Sequence, residues 1–294
     1  MGWLTGDMNV STDQSAGGLA DLQVPGWQIE HLPSVGSTNI EALARVAAGV
    51  APGLVLVTDD QTAGRARFTR SWRTPPGSAV AMSAVVAPHG IAADQWGWLP
   101  LLTGVAVDTA LNQLGVPTAL KWPNDVLAAE QAPAPGKLCG ILVSRATGPT
   151  GTDLAVIGIG INTAMTRDQL PVPTASSLAL NGVGKGGVVS AAEVVTRVLT
   201  ALAAELAAWA AGADPAARYR ARSATIGARV RITLDAEDSG ATGARRAAAG
   251  VVGTAVDVDR TGSLVVETEA GRQSFAAGDV THLRLAGTDS PDSP

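Results

Sequence analysis

The chain has 294 residues, enough for one large α/β domain plus a small one, with apolar residues near half and aromatics at 3%. Its net charge is −5 and it has no basic tail or long Lys/Arg run, which speaks against non-specific nucleic-acid binding. One cysteine, Cys139, rules out an intrachain disulfide and argues against a cysteine zinc site; His31, His89 and His282 are too scattered to read as a metal cluster.

No apolar stretch is long and pure enough to span a bilayer, and Met1 to Asp13 lack the basic-then-apolar order of a signal peptide. The expectation is a cytoplasmic protein without membrane or nucleic-acid partners. Residues 1–25 are rich in Gly, Ser, Asp and Thr and read as a flexible head. Thr38 with Glu41 fits a capping box that opens a helix, with Ile40, Leu43 and Ala47 at helical spacing and Gly49 as the stop. Leu54 to Thr58 and Ser78 to Val86 read as strands, and Trp98 to Leu114 as a helix ending at Gly115. Val116 to Leu120 is a further strand. Lys137 to Ser144 and Asp153 to Ile161 read as neighbouring strands, the second buried on both faces. Ser190 and Glu193 form a second capping box, opening an amphipathic helix whose stripe is Val194, Val198, Leu202, Leu206 and Trp209.

After Arg222 the character changes. Arg229 to Leu234, Gly250 to Val258, Ser263 to Thr268 and Val280 to Leu285 are short, β-branched and turn-separated, with a hairpin turn at 259–262 and a long insertion at 235–249. The expected division is a flexible head (1–25), a catalytic α/β domain (26–222), a small β domain (223–286) and a flexible tail (287–294).

Four segments carry chemistry. Thr58 to Trp72 follows a strand and holds Arg65, Arg67 and Arg70, with Arg73 just beyond and no acidic residue between Asp60 and Asp94. Clustered guanidinium groups repel unless an anion or solvent compensates, so this is an anion-binding loop or a solvated basic one. Lys121-Trp122-Pro123-Asn124-Asp125 places an ammonium, an amide and a carboxylate at a strand end. That set suits a nucleotide site, or a plain β-turn. Lys137 stands at the mouth of an apolar strand, seeking an anion or reaching for water as an edge lysine. Val156 to Asn162 is a buried strand whose Gly158 and Gly160 let a ligand or backbone approach closely. It is not a dinucleotide fingerprint, and the Gly-Lys of residues 182–187 does not fit Walker A spacing. Cys139 reads as a small core residue, with no nearby His to activate it.

Taken in order, Ser-Thr-Asn at 37–39, Gln61, Gly-Arg-x-Arg-x-x-Arg-x-Trp at 64–72, Lys-Trp-Pro-Asn-Asp at 121–125, Gly-Lys-Leu-x-Gly-Ile-Leu at 136–142 and Gly-Ile-Asn at 160–162 resemble the biotin–protein ligase family, over roughly residues 27 to 285. The resemblance implies a mixed β-sheet catalytic domain with flanking helices, α/β (α+β) in class, followed by a small SH3-like β-barrel. It implies an ATP-dependent ligase that forms biotinyl-5′-AMP with Mg²⁺ and then transfers biotin to a lysine. The acceptor would be the biotin carboxyl carrier domain of an acyl-CoA carboxylase.

By the same resemblance, Ser37, Thr38, Asn39 and Gln61 would hold the ureido ring and Trp72 would lie along the biotin stem. Gly64, Arg65, Ala66 and Arg67 would belong to the loop that binds biotin and the adenylate, with Arg67 and Arg70 near carboxylate and phosphates. Lys137, with Arg67, would be catalytic. Lys121, Asn124 and Asn162 would lie on the nucleotide side, and Asp125 would serve Mg²⁺ and phosphate. Three departures stand out. Ala66 and Thr69 replace loop glycines, residues 163–189 offer no aromatic for adenine, and Trp27 leaves too little room for an N-terminal helix-turn-helix. Lipoate–protein ligase or octanoyl transferase is the near alternative, and a non-catalytic biotin sensor the distant one. The Ser-Thr-Asn set and the terminal β module favour biotin, and the intact lysine and arginines favour catalysis.

Overall fold

The structure, a computed structural model, describes residues 18–65, 67, 71, 72, 74–184, 190–234 and 250–283. The strands of the first sheet are β1 (Gln28–His31), β2 (Leu54–Thr58), β5 (Ala79–Val86), β6 (Thr118–Lys121), β7 (Asp125–Ala128), β8 (Gly136–Thr147) and β9 (Asp153–Asn162). They lie in the order β1-β2-β5-β9-β8-β7-β6. Only β1 and β2 are parallel, joined by helix α1 (Thr38–Ala47). A two-stranded ribbon, β3 (Gly64–Arg65) with β4 (Ser71–Trp72), stands apart from this sheet.

Strand side chains alternate between faces, and here the alternation sorts two cores. Val55, Val57, Val80, Met82, Ile157, Ile159 and Ile161 share one core with helices α2 (Trp98–Gln113) and α3 (Ala191–Ala210). Helix α2 is apolar nearly all round because it lies under both the sheet and α3, whose buried stripe is the one its periodicity predicts. Leu54, Leu56, Val85, Leu154 and Val156 face the other way, against Ala42 and Val46 of α1.

Helix α1 departs from the sequence expectation in two ways. Its N-cap is Ser37, which accepts the Ile40 N–H, and not Thr38, whose hydroxyl is taken by Gln61 and Ser83. Its buried face is Thr38, Asn39, Ala42 and Val46, leaving Ile40 42% exposed. Glu41 instead pairs with Arg45 one turn on. The last part of the expected head also packs: Leu19, Leu22 and Val24 are buried in the core with Trp27. Residues 1–17 lie outside the described set.

Helix α4 (Pro215–Arg220), capped by Asp214, leads into five antiparallel strands: β10 (Arg229–Thr233), β11 (Val251–Val258), β12 (Leu264–Thr268), β13 (Gly271–Phe275) and β14 (Asp279–His282). Their order is β13-β12-β11-β10-β14. Of these five, β13 is the strand the sequence reading passed over, because Gly-Arg-Gln-Ser-Phe carries little apolar alternation; β1 and β7 of the first sheet were likewise not expected. Residues 235–249 and 284–294 fall outside the described residues. Among those described, no helix is long and apolar enough to cross a membrane.

Backbone hydrogen bonds and a buried tryptophan are prominent among the contacts that join the two units. Leu120 N–H donates to Arg222 O at 2.9 Å and Ala224 N–H to Leu120 O at 2.8 Å, extending the first sheet into the linker. Trp122, buried, donates its backbone N–H to Thr225 Oγ1 (3.0 Å) and its indole N–H to Gly262 O (3.1 Å). Gly262 and Gly97 meet backbone to backbone, so a Cβ on either would collide with the other unit. Trp122→Ala is therefore expected to destabilise the protein by about 3–5 kcal/mol; urea unfolding that gives a loss below 1 kcal/mol would show that this tryptophan does not join the units.

Candidate functional site

Beyond the end of α1, its face of the sheet is bare. Strand register brings Ala81, Gly160, Gly140 and Asp125 into one row across β5, β9, β8 and β7. The next row is Ser83, Gly158 and Leu142. A side chain on Gly160 would stand 3.0 Å from the Trp72 indole, and one on Gly140 3.1 Å from it. A side chain on Gly158 would stand 2.9 Å from Asn39 Nδ2. These glycines thus form the floor of a cleft roofed by Trp72, with Ser37, Thr38, Asn39 and Gln61 at one end and Arg65, Asn124 and Lys137 among its other walls.

The polar end is tightly wired. Gln61 Oε1 accepts from the Thr38 backbone N–H (3.0 Å) and the Thr38 hydroxyl (3.2 Å). Asn39 donates to Leu142 O at 3.3 Å and accepts from Ser144 Oγ at 3.1 Å. Gly64 must be glycine, since a Cβ there would overlap both the Gln61 amide nitrogen and the Trp72 carbonyl.

At the other end, Lys137 Nζ lies 2.5 Å from Asp125 Oδ1 and 5.7 Å from the Trp72 ring centroid. Gly140, the strand partner of Asp125, leaves room for this reach: a Cβ there would be 3.4 Å from Lys137 Nζ. Lys137 is itself fixed by Gly136, whose φ of 141° and close approach to Thr174 O admit no side chain. Cys139 is fully buried, and burial holds its thiol well above the ordinary range, as befits a core residue.

Several expected residues stand elsewhere. Arg67 donates to Gly278 O of the C-terminal unit at 3.3 Å, and of the described loop arginines Arg65, not Arg67, lines the cleft with Lys137. Lys121 is not among the cleft-lining residues; it lies near half-buried His282, whose pKa is lowered by burial first and by Lys121 second. Asn124 Nδ2 is spent on Ile141 O at 2.8 Å. Asn162 donates to Ser176 O at 2.9 Å, while its buried Oδ1 has no hydrogen-bond partner among the described residues. Ala66 and Arg70 lie outside the described residues. Ser83 and Ser144, which complete the polar end, are absent from the sequence-based candidates; a lone hydroxyl in the otherwise apolar strand β5 is the one available signal for the first.

Among described residues no group of three or more His, Cys, Asp or Glu could hold a metal ion. A single carboxylate, Asp125, faces the cation end. That donor set suits a Mg²⁺ carried mainly by nucleotide phosphates, which needs only one or two protein carboxylates.

The sequence profile of the Biotin/lipoate A/B protein ligase family matches residues 36–162, and that of the Biotin protein ligase C terminal domain matches residues 245–283. A biotin–[acetyl-CoA-carboxylase] ligase of Mycobacterium tuberculosis is 37% identical over 267 residues, covering 88% of this chain and 91% of the relative. The same-named ligase of Paracoccus denitrificans is 30% identical over 249 residues, covering 83% and 96%. The structure of a biotin protein ligase from Aquifex aeolicus in complex with biotin and ATP superposes with a TM-score of 0.66 at 23% identity, over 87% of this chain and 98% of that one.

Gly160→Leu should push the indole off the floor and fill the cleft. Calorimetric titration with biotin, the ligand the motif resemblance implies, is expected to show at least about tenfold weaker binding. An unchanged affinity would mean the ligand does not use this floor.

Proposed function

The chain belongs to the biotin–protein ligase family, and on that premise we propose how its own residues perform ATP-dependent biotinylation of an acetyl-CoA carboxylase. The enzyme forms biotinyl-5′-AMP from biotin and ATP, then gives biotin to the carboxylase, at a lysine of its biotin carboxyl carrier domain. The carrying observation is the cleft itself: hydrogen-bonding groups that suit a urea at one end, a glycine floor under an indole, Lys137 at the other end, and Arg65 in the wall.

Biotin's bicyclic head sits at the Ser37, Thr38, Asn39 and Gln61 end, and its aliphatic chain runs between Trp72 and Gly160. Its carboxylate then faces Lys137. A carboxylate oxygen attacks the α-phosphorus of ATP, the bond to the bridging oxygen of pyrophosphate breaks, and pyrophosphate leaves. Two anions must be brought together and charge grows on the phosphoryl oxygens, so preorganised cations lower the barrier. Lys137 fills that role, with arginines of the 64–72 loop.

Asp125 pairs with Lys137, which offsets part of the ammonium's charge and fixes its position beside the Trp72 ring. Mg²⁺ would be held by Asp125 and the nucleotide's phosphates, and would offset charge on the departing pyrophosphate. Asn162 and Asn124 face the nucleobase, and the unpartnered Asn162 Oδ1 supports this, as an acceptor suited to adenine's amino group. In the second half-reaction the carrier's lysine amine attacks the acyl carbon, and AMP leaves with the electron pair. The loop around Arg67 covers the adenylate and keeps water from hydrolysing it. We place the reaction in the cytoplasm, where carboxylases and ATP meet, and assign the chain no nucleic-acid partner.

Biotin-dependent ATP–pyrophosphate exchange, followed by transfer to a carboxylase carrier domain, tests the assignment; lipoate-dependent exchange in its place would move the chain to the lipoate branch. Lys137→Ala is expected to slow adenylation by about 3–4 kcal/mol of barrier, the cost of losing one such donor. A wild-type exchange rate in that variant would remove Lys137 from the mechanism. Arg67→Gly is expected to speed release of biotinyl-AMP, read by trapping the free adenylate; release at the wild-type rate would count against the covering role.

A further inference from the structure

Ser83 lies in the middle of β5 with no exposed surface, the one hydroxyl in an apolar strand. Its Oγ is 2.9 Å from Thr38 Oγ1. The direction of every proton in this cluster follows by exclusion. The Thr38 backbone N–H can only donate, so the Gln61 atom that meets it at 3.0 Å is the carbonyl Oε1. That oxygen can only accept, so the Thr38 hydroxyl, 3.2 Å from it, gives its proton to Gln61. Having spent its one proton, Thr38 Oγ1 has only lone pairs left for Ser83, and Ser83 must donate.

The order Ser83 to Thr38 to Gln61 has a chemical consequence at the cleft. Gln61 is held with its amide N–H groups turned away from Thr38, on the side of Gly64. The Thr38 oxygen, with one lone pair given to Ser83, keeps a second, and its proton is unavailable to a ligand. The cleft therefore offers a fixed N–H donor from Gln61 beside a hydroxyl that can only accept. A cyclic urea presents the matching pair, a carbonyl acceptor flanked by N–H donors. Donation to Gln61 polarises the Thr38 hydroxyl and makes its oxygen a better acceptor, while the bond from Ser83 holds that oxygen in place. Gly158, the strand partner of Ser83, keeps this corner open for Asn39.

We propose that Ser83 is a specificity-determining positioning residue, which acts through Thr38 to make the cleft an acceptor for the ureido N–H of its substrate. This rests on the reading of the cleft as the biotin site.

The test uses the full-length enzyme and biotin-dependent pyrophosphate exchange on Ser83→Ala, Ser83→Thr, Thr38→Val and the Ser83→Ala/Thr38→Val double variant. Ser83→Ala is expected to raise the KM for biotin roughly tenfold while kcat and the KM for ATP stay within twofold, since a lost neutral hydrogen bond is worth about that factor. Ser83→Thr restores the hydroxyl and is expected to recover most of the affinity. If Ser83 works through Thr38, the double variant is no worse than Thr38→Val alone. Additive losses, or a Ser83→Ala KM within twofold of wild type, would overturn the proposal while leaving the biotin site standing. A Thr38→Val variant with wild-type biotin KM would overturn the site reading, and this inference with it. Equal melting temperatures for wild type and Ser83→Ala are expected; a drop together with parallel losses in both KM values would assign Ser83 a purely structural role.

Discussion

Everything in the cleft depends on a row of missing side chains. Ala81, Gly160 and Gly140 lie side by side across three central strands, and the row ends at Asp125. In a sheet packed on both faces such a gap costs stability, because the uncovered strands forgo the burial that neighbouring residues such as Leu56 and Val156 enjoy. The gap lets Trp72 lie flat against backbone, and lets Lys137 cross over Gly140 to Asp125. A methyl group at 160 or 140 would already crowd the indole. The same sheet is conventional on its other face, where Met82, Ile157 and Ile159 pack on α2 and α3. One face packs on α2 and α3, and the other is shared between α1 and the cleft.

Which parts of this were visible in the residues follows from which parts are local. The glycines of β9 alternate with isoleucines, so period two alone places Gly158 and Gly160 on one face and Ile157, Ile159 and Ile161 on the other. The stripe of α3 and its Ser190 cap are equally local, and the motif order carries the family. Three things are not local. The N-cap of α1 passes to Ser37 because Gln61, 23 residues on, claims the Thr38 hydroxyl. Arg67 turns to Gly278 across 211 residues of sequence, a partnership no spacing rule reaches. Ser83 matters only because β5 lies where α1 can touch it. Propensity rules report one element at a time, whereas these residues take their meaning from neighbouring elements.

The C-terminal unit is more than an appendage in this arrangement. It holds the hairpin between β6 and β7 through Trp122, and that hairpin carries Asn124 and Asp125. It also meets the arginine loop at Gly278. The surface ion pair Arg260–Asp94 at the junction, with Arg260 74% exposed, contributes little by itself. The buried indole and the Gly97–Gly262 contact bear the junction instead. Two separate walls of the proposed adenylate site are therefore tied to one unit that, among its described residues, lines none of the cleft.

That coupling has a direct consequence for how the two half-reactions can share one site. Adenylation needs cations close to two anions and water kept out; transfer needs the same site to admit a lysine from another protein. Arg67 meets the C-terminal unit at Gly278 O, apart from the buried Trp122 junction, where an indole and a backbone amide bind across the same two units. Support beneath the proposed nucleotide side and a tie to the arginine loop are thus provided by different contacts of the same small sheet.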